Sequence, residues 1–155
     1  MTELQERVRF LEGRFACALA CTECAQACAL RVSLVDLDGP EDQQLIRRKG
    51  IACAEICDMT CRFLAEQGAR SERAVRAEVE RCRTVCLETA RVFDRGAGSG
   101  VEAGAETHAR TETETETETE IEVRFKAEVE VEVEESARSC RECARACSEF
   151  LTLLR

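Results

Sequence analysis

Twelve cysteines at spacings of three and four residues constrain this chain more than any other feature. Side chains at these spacings lie on one face of an α-helix. At about 100° per residue, the four cysteines of the first cluster fall within roughly 60° of one another. The sequence therefore predicts four sulfur stripes on four helices. The four clusters are Cys17, Cys21, Cys24 and Cys28; Cys53, Cys57 and Cys61; Cys82 and Cys86; and Cys140, Cys143 and Cys147.

Composition and turn signals predict an all-α fold. The 155 residues include one Pro, no Trp and no Tyr, which disfavours a β-sandwich or barrel. Pro40 suits the first position of a second helix, and Ser71 suits the N-cap of a third. We expect an antiparallel four-helix bundle with a Cys-lined core, as one domain over 1–155. The expected helices cover about 2–36, 40–67, 71–96 and 126–155, and the fourth begins between Lys126 and Glu128.

A low-complexity acidic insert at 97–125 separates the third and fourth helices. It contains a pure Thr-Glu repeat from Thr111 to Glu120. Alternation suits a strand, but glutamates at i, i+2 and i+4 repel one another on a strand face and on a helix. We therefore expect a disordered or extended acidic loop.

Apolar residues continue each sulfur stripe beyond its ends and predict hydrophobic plugs around a thiol-lined middle. Helix 1 carries a second apolar stripe, about 120–200° around from its cysteines. This outer stripe predicts a homo-oligomer formed through the outer face of helix 1. The plug residues are Phe10, Val35, Ile46, Leu64, Val75, Phe93, Val133 and Leu151. The outer stripe consists of Leu4, Val8, Leu11, Phe15 and Leu19.

Charge and hydropathy bear on partners and compartment. A formal net charge of −9 argues against nucleic-acid binding. The charged N-terminus has no apolar signal region, and no run approaches the ~18 apolar residues of a membrane span. We expect a cytoplasmic protein without a membrane partner. Thiols stay reduced in the cytoplasm.

Reduced thiols on helical stripes favour a soft monovalent metal, above all Cu(I). Two metal–sulfur bonds of about 2.3 Å each, the value for zinc, span up to about 4.6 Å, within reach of sulfurs at i and i+4. Disulfides within a cluster fit badly, because Cβ atoms at i and i+4 are about 5–6 Å apart and a disulfide needs about 3.5–4.5 Å.

Other sulfur chemistries remain as alternatives. The two Cys-x2-Cys-x3-Cys runs, which begin at Cys21 and at Cys140, resemble the last three cysteine positions of a ferredoxin motif. An Fe–S or thiol-redox bundle is therefore the main alternative. Zinc prefers closed tetrahedral sites, and knuckle spacings are absent. A structural oligomer with cysteines as core filler explains single cysteines but not twelve in stripes.

Catalysis is not expected. The sequence shows no Ser/His/Asp or Cys/His constellation, and no βαβ pattern surrounds a Cys-x2-Cys pair. The single histidine, His108, lies in the acidic insert and is expected to be a bystander. Met59 points roughly 200° away from Cys57, so we expect it to pack rather than to bind metal.

Three segments together resemble the Cys-rich four-helix-bundle copper-binding family, the bacterial copper storage proteins. They are Cys17-Ala-Leu-Ala-Cys-Thr-Glu-Cys-Ala-Gln-Ala-Cys28, Cys53-Ala-Glu-Ile-Cys57 and Cys140-Arg-Glu-Cys-Ala-Arg-Ala-Cys147. The resemblance covers about residues 1–95 and 127–155. It implies many Cu(I) ions held by interior thiolates, commonly in a homo-oligomer, for storage or copper homeostasis. Helix 3 has only two cysteines, and no histidine stands at a helix end. The resemblance does not include the Thr-Glu insert.

Overall fold

The chain forms four long helices. The computed structural model describes residues 2–66, 70–103 and 116–154, without the side chains of 97–103 and 116–119. The helices are α1 (Glu3–Ser33), α2 (Glu41–Ala65), α3 (Glu72–Ala103) and α4 (Glu116–Leu153). α1 packs against α2 and α4, and α3 packs against the same two helices. The described residues confirm the predicted antiparallel four-helix bundle.

Local sequence signals set the helix starts. Thr2 caps α1, where its Oγ1 accepts a hydrogen bond from the Gln5 amide and the Gln5 side chain accepts one from the Thr2 amide. Pro40 is the N-cap of α2, one position earlier than expected. Ser71 accepts a hydrogen bond from the Ala74 amide at 3.2 Å, so its predicted capping role is confirmed.

Two side chains fasten the end of the bundle that holds the start of α1. Arg14 donates to the carbonyl of Leu64 and, at 2.6 Å, to that of Glu66, where α2 ends. The last carbonyls of a helix lack partners within it, so these bonds satisfy them. Arg76 of α3 donates similarly to the carbonyl of Leu154, just beyond α4, at 2.9 Å.

Hydrophobic plugs close the two ends of the interior, as predicted. At one end the rings of Phe10 and Phe150 lie 5.6 Å apart, and Leu64 is buried. At the other end Ile46 and Phe93 are buried. Among the other plug residues Val35 and Leu151 are buried, whereas Val75 and Val133 are half-buried.

The predicted end of helix 3 is wrong. Gly96 is a typical helix-terminating residue, yet α3 continues through it to Ala103. A Cβ atom at Gly96 would lie 2.2 Å from the Ile46 Cδ1 atom, so the glycine permits close packing of α2 on α3. A glycine that would usually end a helix is needed here for a helix–helix contact within the helix.

The predicted start of helix 4 is also wrong. α4 begins at Glu116, inside the Thr-Glu repeat, and not near Lys126 to Glu128. Repulsion between glutamates at i and i+4 costs only about 0.2–0.5 kcal/mol per pair, and Glu is a good helix former. Extension from a packed helix needs no new nucleus, so the repulsion does not end α4. Of the predicted insert, 97–103 and 116–125 are helical, and 104–115 lies outside the described residues.

Candidate metal centre: a column of buried thiols

The sulfur stripes of the four helices meet along the bundle axis. Every cysteine except Cys61 is buried, with 0% of its surface exposed. We call this group the thiol column. From Cys17 to Cys28 it extends about 16 Å, at 1.5 Å per helical residue. Its members are Cys17, Cys21, Cys24, Cys28, Cys53, Cys57, Cys82, Cys86, Cys140, Cys143 and Cys147.

Antiparallel packing gives the column two distinct ends. At the Cys17 end, the Cys17 and Cys147 sulfurs are 3.8 Å apart. At the Cys28 end, the Cys28 and Cys140 sulfurs are 3.6 Å apart. All the cysteines are free thiols.

Most close sulfur contacts join different helices. Two pairs spaced i and i+4, Cys24 with Cys28 and Cys53 with Cys57, have sulfurs 4.0 Å apart. Contacts between helices are as short or shorter, down to 3.5 Å between Cys57 and Cys86. The column is therefore a network across the bundle rather than a set of isolated pairs on single helices.

Ten of these thiols form three four-sulfur groups. Within each group the sulfur atoms lie within 4.8 Å of one another. Cys24 belongs to two groups, and so does Cys143. Ions in neighbouring groups would therefore share bridging thiolates. The groups are Cys21, Cys82, Cys143 and Cys147; Cys24, Cys28, Cys53 and Cys140; and Cys24, Cys57, Cys86 and Cys143.

Thiols in this network influence one another's ionisation. Hydrogen bonding with Cys147 lowers the pKa of Cys17 to about 5, despite burial. The hydrogen bond with Cys140, together with burial, raises the pKa of Cys24. The pKa of Cys86 is raised in the same way, first by hydrogen bonding with Cys143. One thiolate stabilised by neighbouring S–H donors makes further ionisation nearby unfavourable, so several thiols stay protonated until a cation enters.

Residues 3–120 match the family of Csp, copper storage proteins. The chain belongs to the copper storage protein family. The match ends before Cys140, Cys143 and Cys147, but the bundle places these three thiols in the same column as the others. The resemblance inferred from the cysteine segments is confirmed.

A solved structure supports the fold of this copper storage family member. It is described as copper loading to a cytosolic copper storage protein from Streptomyces lividans, with five coppers. The sequences are 24% identical, the TM-score is 0.67, and the match covers 92% of this chain and 95% of that chain. No curated protein matches this chain.

Two predicted features lie apart from the column. Cys61 is half-buried, and its sulfur is 3.1 Å from the Thr22 hydroxyl on α1. Met59 is half-exposed, and Arg81 donates to its sulfur at 3.9 Å. Cys61 as a metal ligand therefore stays a prediction, and His108 lies outside the described residues.

Sequence reasoning missed the polar residues that border the thiol column. The buried polar residues among those described are Arg31, Thr60, Thr89 and Ser136. Arg31 continues the register of Cys17, Cys21, Cys24 and Cys28 by three further residues, and this spacing was available in the sequence. A charged residue is usually exposed, so the sequence alone favours a surface position for Arg31.

Among the four described helices, α1 has the length and composition of a membrane span. α1 contains an 18-residue window with mean hydropathy 1.3, of which 28% is buried. Inside the bundle α1 buries its four cysteines and Arg31. These observations are weak evidence for a membrane span, and the expectation of no membrane partner stays a prediction.

Proposed function

We propose that the thiol column binds and stores multiple Cu(I) ions through cysteine thiolates. Membership of the copper storage protein family supports copper as the stored ion. The +1 oxidation state is inferred from ligand chemistry, because thiolates are soft ligands and select the soft cation Cu(I). The buried cysteines are the proposed ligands, with Cys61 at the edge of the set.

The sulfur spacing is the observation that carries this proposal. Neighbouring sulfurs lie 3.5–4.0 Å apart, and a linear S–Cu–S unit needs about 4.6 Å if the zinc–sulfur distance of about 2.3 Å is used. An opening of about half an ångström to one ångström would admit an ion between two sulfurs. Small rotations about the Cα–Cβ bonds of the cysteines can supply this movement.

Shared sulfurs favour Cu(I) over ions such as Zn²⁺ that need a closed site of four thiolates. A tetrahedral Zn²⁺ site uses four thiolates of its own. Because Cys24 and Cys143 each serve two groups, three separate tetrahedral sites cannot fill at once. Two-coordinate ions that share bridging thiolates can use the whole column, which fits storage of many ions.

Titration of the reduced protein with Cu(I) in the absence of oxygen tests the proposed function. We expect on the order of six ions per chain for two-coordinate pairs, and up to about twice that with shared thiolates. Metal analysis after gel filtration gives the number. Saturation at one or two ions, or a brown protein with a visible Fe–S absorption band, would contradict it.

Storage without catalysis, in the cytoplasm, is part of the proposal. The column consists of thiols, and the copper storage family supports a storage role. Free thiols persist in a reducing compartment, and the Streptomyces lividans neighbour is described as cytosolic.

We also propose that the outer face of α1 forms a homo-oligomer. Leu4, Phe15 and Leu19 are 60% or more exposed. Val8 and Leu11 on the same face are 46% and 43% exposed. A continuous apolar face of this kind is typical of a protein–protein contact.

A further inference from the structure

A buried arginine lies at the Cys28 end of the thiol column. Arg31 is only 5% exposed and follows Cys28 by three residues, about 4.5 Å along the axis of α1. Its guanidinium carbon lies 5.8 Å from the centre of the Phe93 ring. Its terminal nitrogen would be 3.5 Å from a Cβ atom added at Gly96. The guanidinium is therefore enclosed by α1 and α3 at the plug of Ile46 and Phe93, which closes the Cys28 end of the column.

No acidic side chain among the described residues is paired with Arg31. Its Nε atom is buried without a hydrogen-bond partner. Burial lowers its pKa, and no charge within the described part of the chain offsets that effect. A buried guanidinium without an anion is costly, which calls for a reason beyond packing.

A second unsatisfied group lies at the same end. The Thr89 hydroxyl is buried without a partner and follows Cys86 by three residues on α3. At the Cys17 end the matching hydroxyl, Thr60, donates to the Ile56 carbonyl at 2.8 Å. Unmet donors among the described buried side chains are thus confined to the Cys28 end, beside the group of Cys24, Cys28, Cys53 and Cys140.

Copper binding would supply the missing anion. When two thiols bind one Cu(I), two S–H bonds break, two protons leave to solvent, and two Cu–S bonds form without any change of oxidation state. The resulting bis-thiolate unit carries a net charge of −1. In a low-dielectric interior such a charge needs a cation nearby.

We propose that Arg31 is the built-in counter-cation of the copper–thiolate cluster, so that copper is held most tightly at the Cys28 end. This inference rests on the proposed copper storage function. Arg31 acts by charge, with Thr89 as an additional hydrogen-bond donor to sulfur. In the copper-free protein the same charge is a cost to stability.

The test compares three variants of the full-length reduced protein with the wild type. Arg31→Met removes the charge and keeps the length, and Arg31→Lys keeps the charge. Arg138→Met removes a charge from the exposed surface of α4, two residues before Cys140, and serves as the matched control. Copper affinity is measured without oxygen by competition with bathocuproine disulfonate, and the copper-free proteins are melted by circular dichroism.

Arg31→Met should weaken binding of the most tightly held copper by at least about tenfold, since one unit charge is lost from the low-dielectric interior at the Cys28 end of the column. Arg31→Lys and Arg138→Met should stay within about threefold of the wild type, because the first keeps the charge and the second removes a screened one. The copper-free Arg31→Met protein should melt at a higher temperature, because a buried unpaired charge is gone.

A double-mutant cycle locates the effect. Arg31→Met should lose most of its effect on affinity in a Cys28→Ser background and keep it in a Cys17→Ser background, since Cys17 lies about 21 Å away along α1. Equal effects in the two backgrounds would overturn the assignment to the Cys28 end.

Copper affinity decides between the outcomes. Equal affinities of the wild type and Arg31→Met overturn the inference, as does an equal loss in Arg138→Met. If Arg31→Met melts at a lower temperature and loses copper affinity while Arg31→Lys keeps its affinity, the result still supports a charge effect. If Arg31→Lys loses as much copper affinity as Arg31→Met, the inference is overturned. If Arg31→Met does not fold, Arg31→Gln takes its place with the same expectation. A wild-type protein that binds no copper refutes the proposed function itself.

Discussion

Individual cysteines in the column differ in how many sulfurs surround them. The Cys24 sulfur lies within 4.0 Å of those of Cys28, Cys53, Cys86 and Cys140. Cys61 instead contacts a hydroxyl at the edge of the bundle. The twelve cysteines therefore differ in how many neighbouring sulfurs could bind copper together with them.

Cys24→Ser should lower copper capacity by more than one cysteine's share, because Cys24 belongs to two of the four-sulfur groups. Serine keeps the size but is a poor ligand for a soft ion. Cys61→Ser is the matched control and should leave capacity nearly unchanged. Copper per chain is counted after challenge with a chelator. Equal losses in the two variants would show that position in the column does not matter.

At the scale of elements, close helix packing depends on glycine, which has no side chain at the point of contact. A Cβ atom at Gly50 of α2 would lie 2.5 Å from Val32 Cγ2 on α1 and 3.4 Å from Phe93 Cζ on α3. Val is stiff about its first torsion, so Val32 cannot easily turn aside. Gly50 thus lets α2 approach both neighbours beside Arg31.

Gly50→Ala should destabilise the copper-free protein by about 1–2 kcal/mol, because overpacking outweighs the roughly 1 kcal/mol that Ala gains over Gly within a helix. Urea unfolding under reducing conditions measures the change. The double variant Gly50→Ala, Val32→Ala should recover part of the loss relative to Val32→Ala alone. A stabilised single variant would mean that the helices shift apart at little cost.

The helix boundaries show the limit of local signals. Caps at Thr2 and Ser71 act within four residues and are readable from sequence. The predicted boundaries at Gly96 and near Lys126 are wrong, because Ile46 packs on Gly96 and α4 extends from its packed half to Glu116. Both outcomes depend on neighbours that lie far away in sequence.

For the whole molecule, copper uptake and proton release are linked. The pKa of Cys24 and that of Cys86 are raised, first by hydrogen bonds to Cys140 and Cys143 and also by burial, so both thiols are protonated at neutral pH. Cu(I) must displace these protons. Cys17, with its pKa lowered to about 5, binds with little proton release at pH 7. The pKa values of Cys53, Cys82 and Cys143 are lowered as well, so these thiols also release few protons.

Loading at pH 7 should therefore release clearly fewer protons than the number of thiolates bound to copper, because four column thiols have lowered pKa values. Copper affinity should fall as the pH falls, because the thiols with raised pKa values must lose their protons to bind. A pH-stat titration with Cu(I) counts the protons, and chelator competition between pH 5 and pH 8 follows the affinity. Copper uptake without proton release would mean that the column is already ionised in the copper-free protein.

Assembly also belongs to the whole molecule. Replacing Leu11 and Phe15 on the exposed face of α1 with Glu should give monomers that bind as much copper as the wild type, because these side chains point away from the thiol column. Analytical ultracentrifugation at micromolar concentration measures the change. The matched control is Leu87→Glu on α3, where the exposed side chain lies outside the α1 stripe. A wild-type protein that sediments as a monomer would contradict the proposed assembly.

The sequence by itself determined the four helices, the sulfur stripes and the plugs, because helical periodicity and small, repeated spacings are local properties. The tertiary structure decided which sulfurs meet. Contacts such as Cys28 with Cys140 depend on how antiparallel helices are rotated and shifted against one another. The same packing placed Cys61 at the edge and enclosed Arg31 beside the column. Burial is a property of the assembled bundle, so one helix's spacing cannot show it.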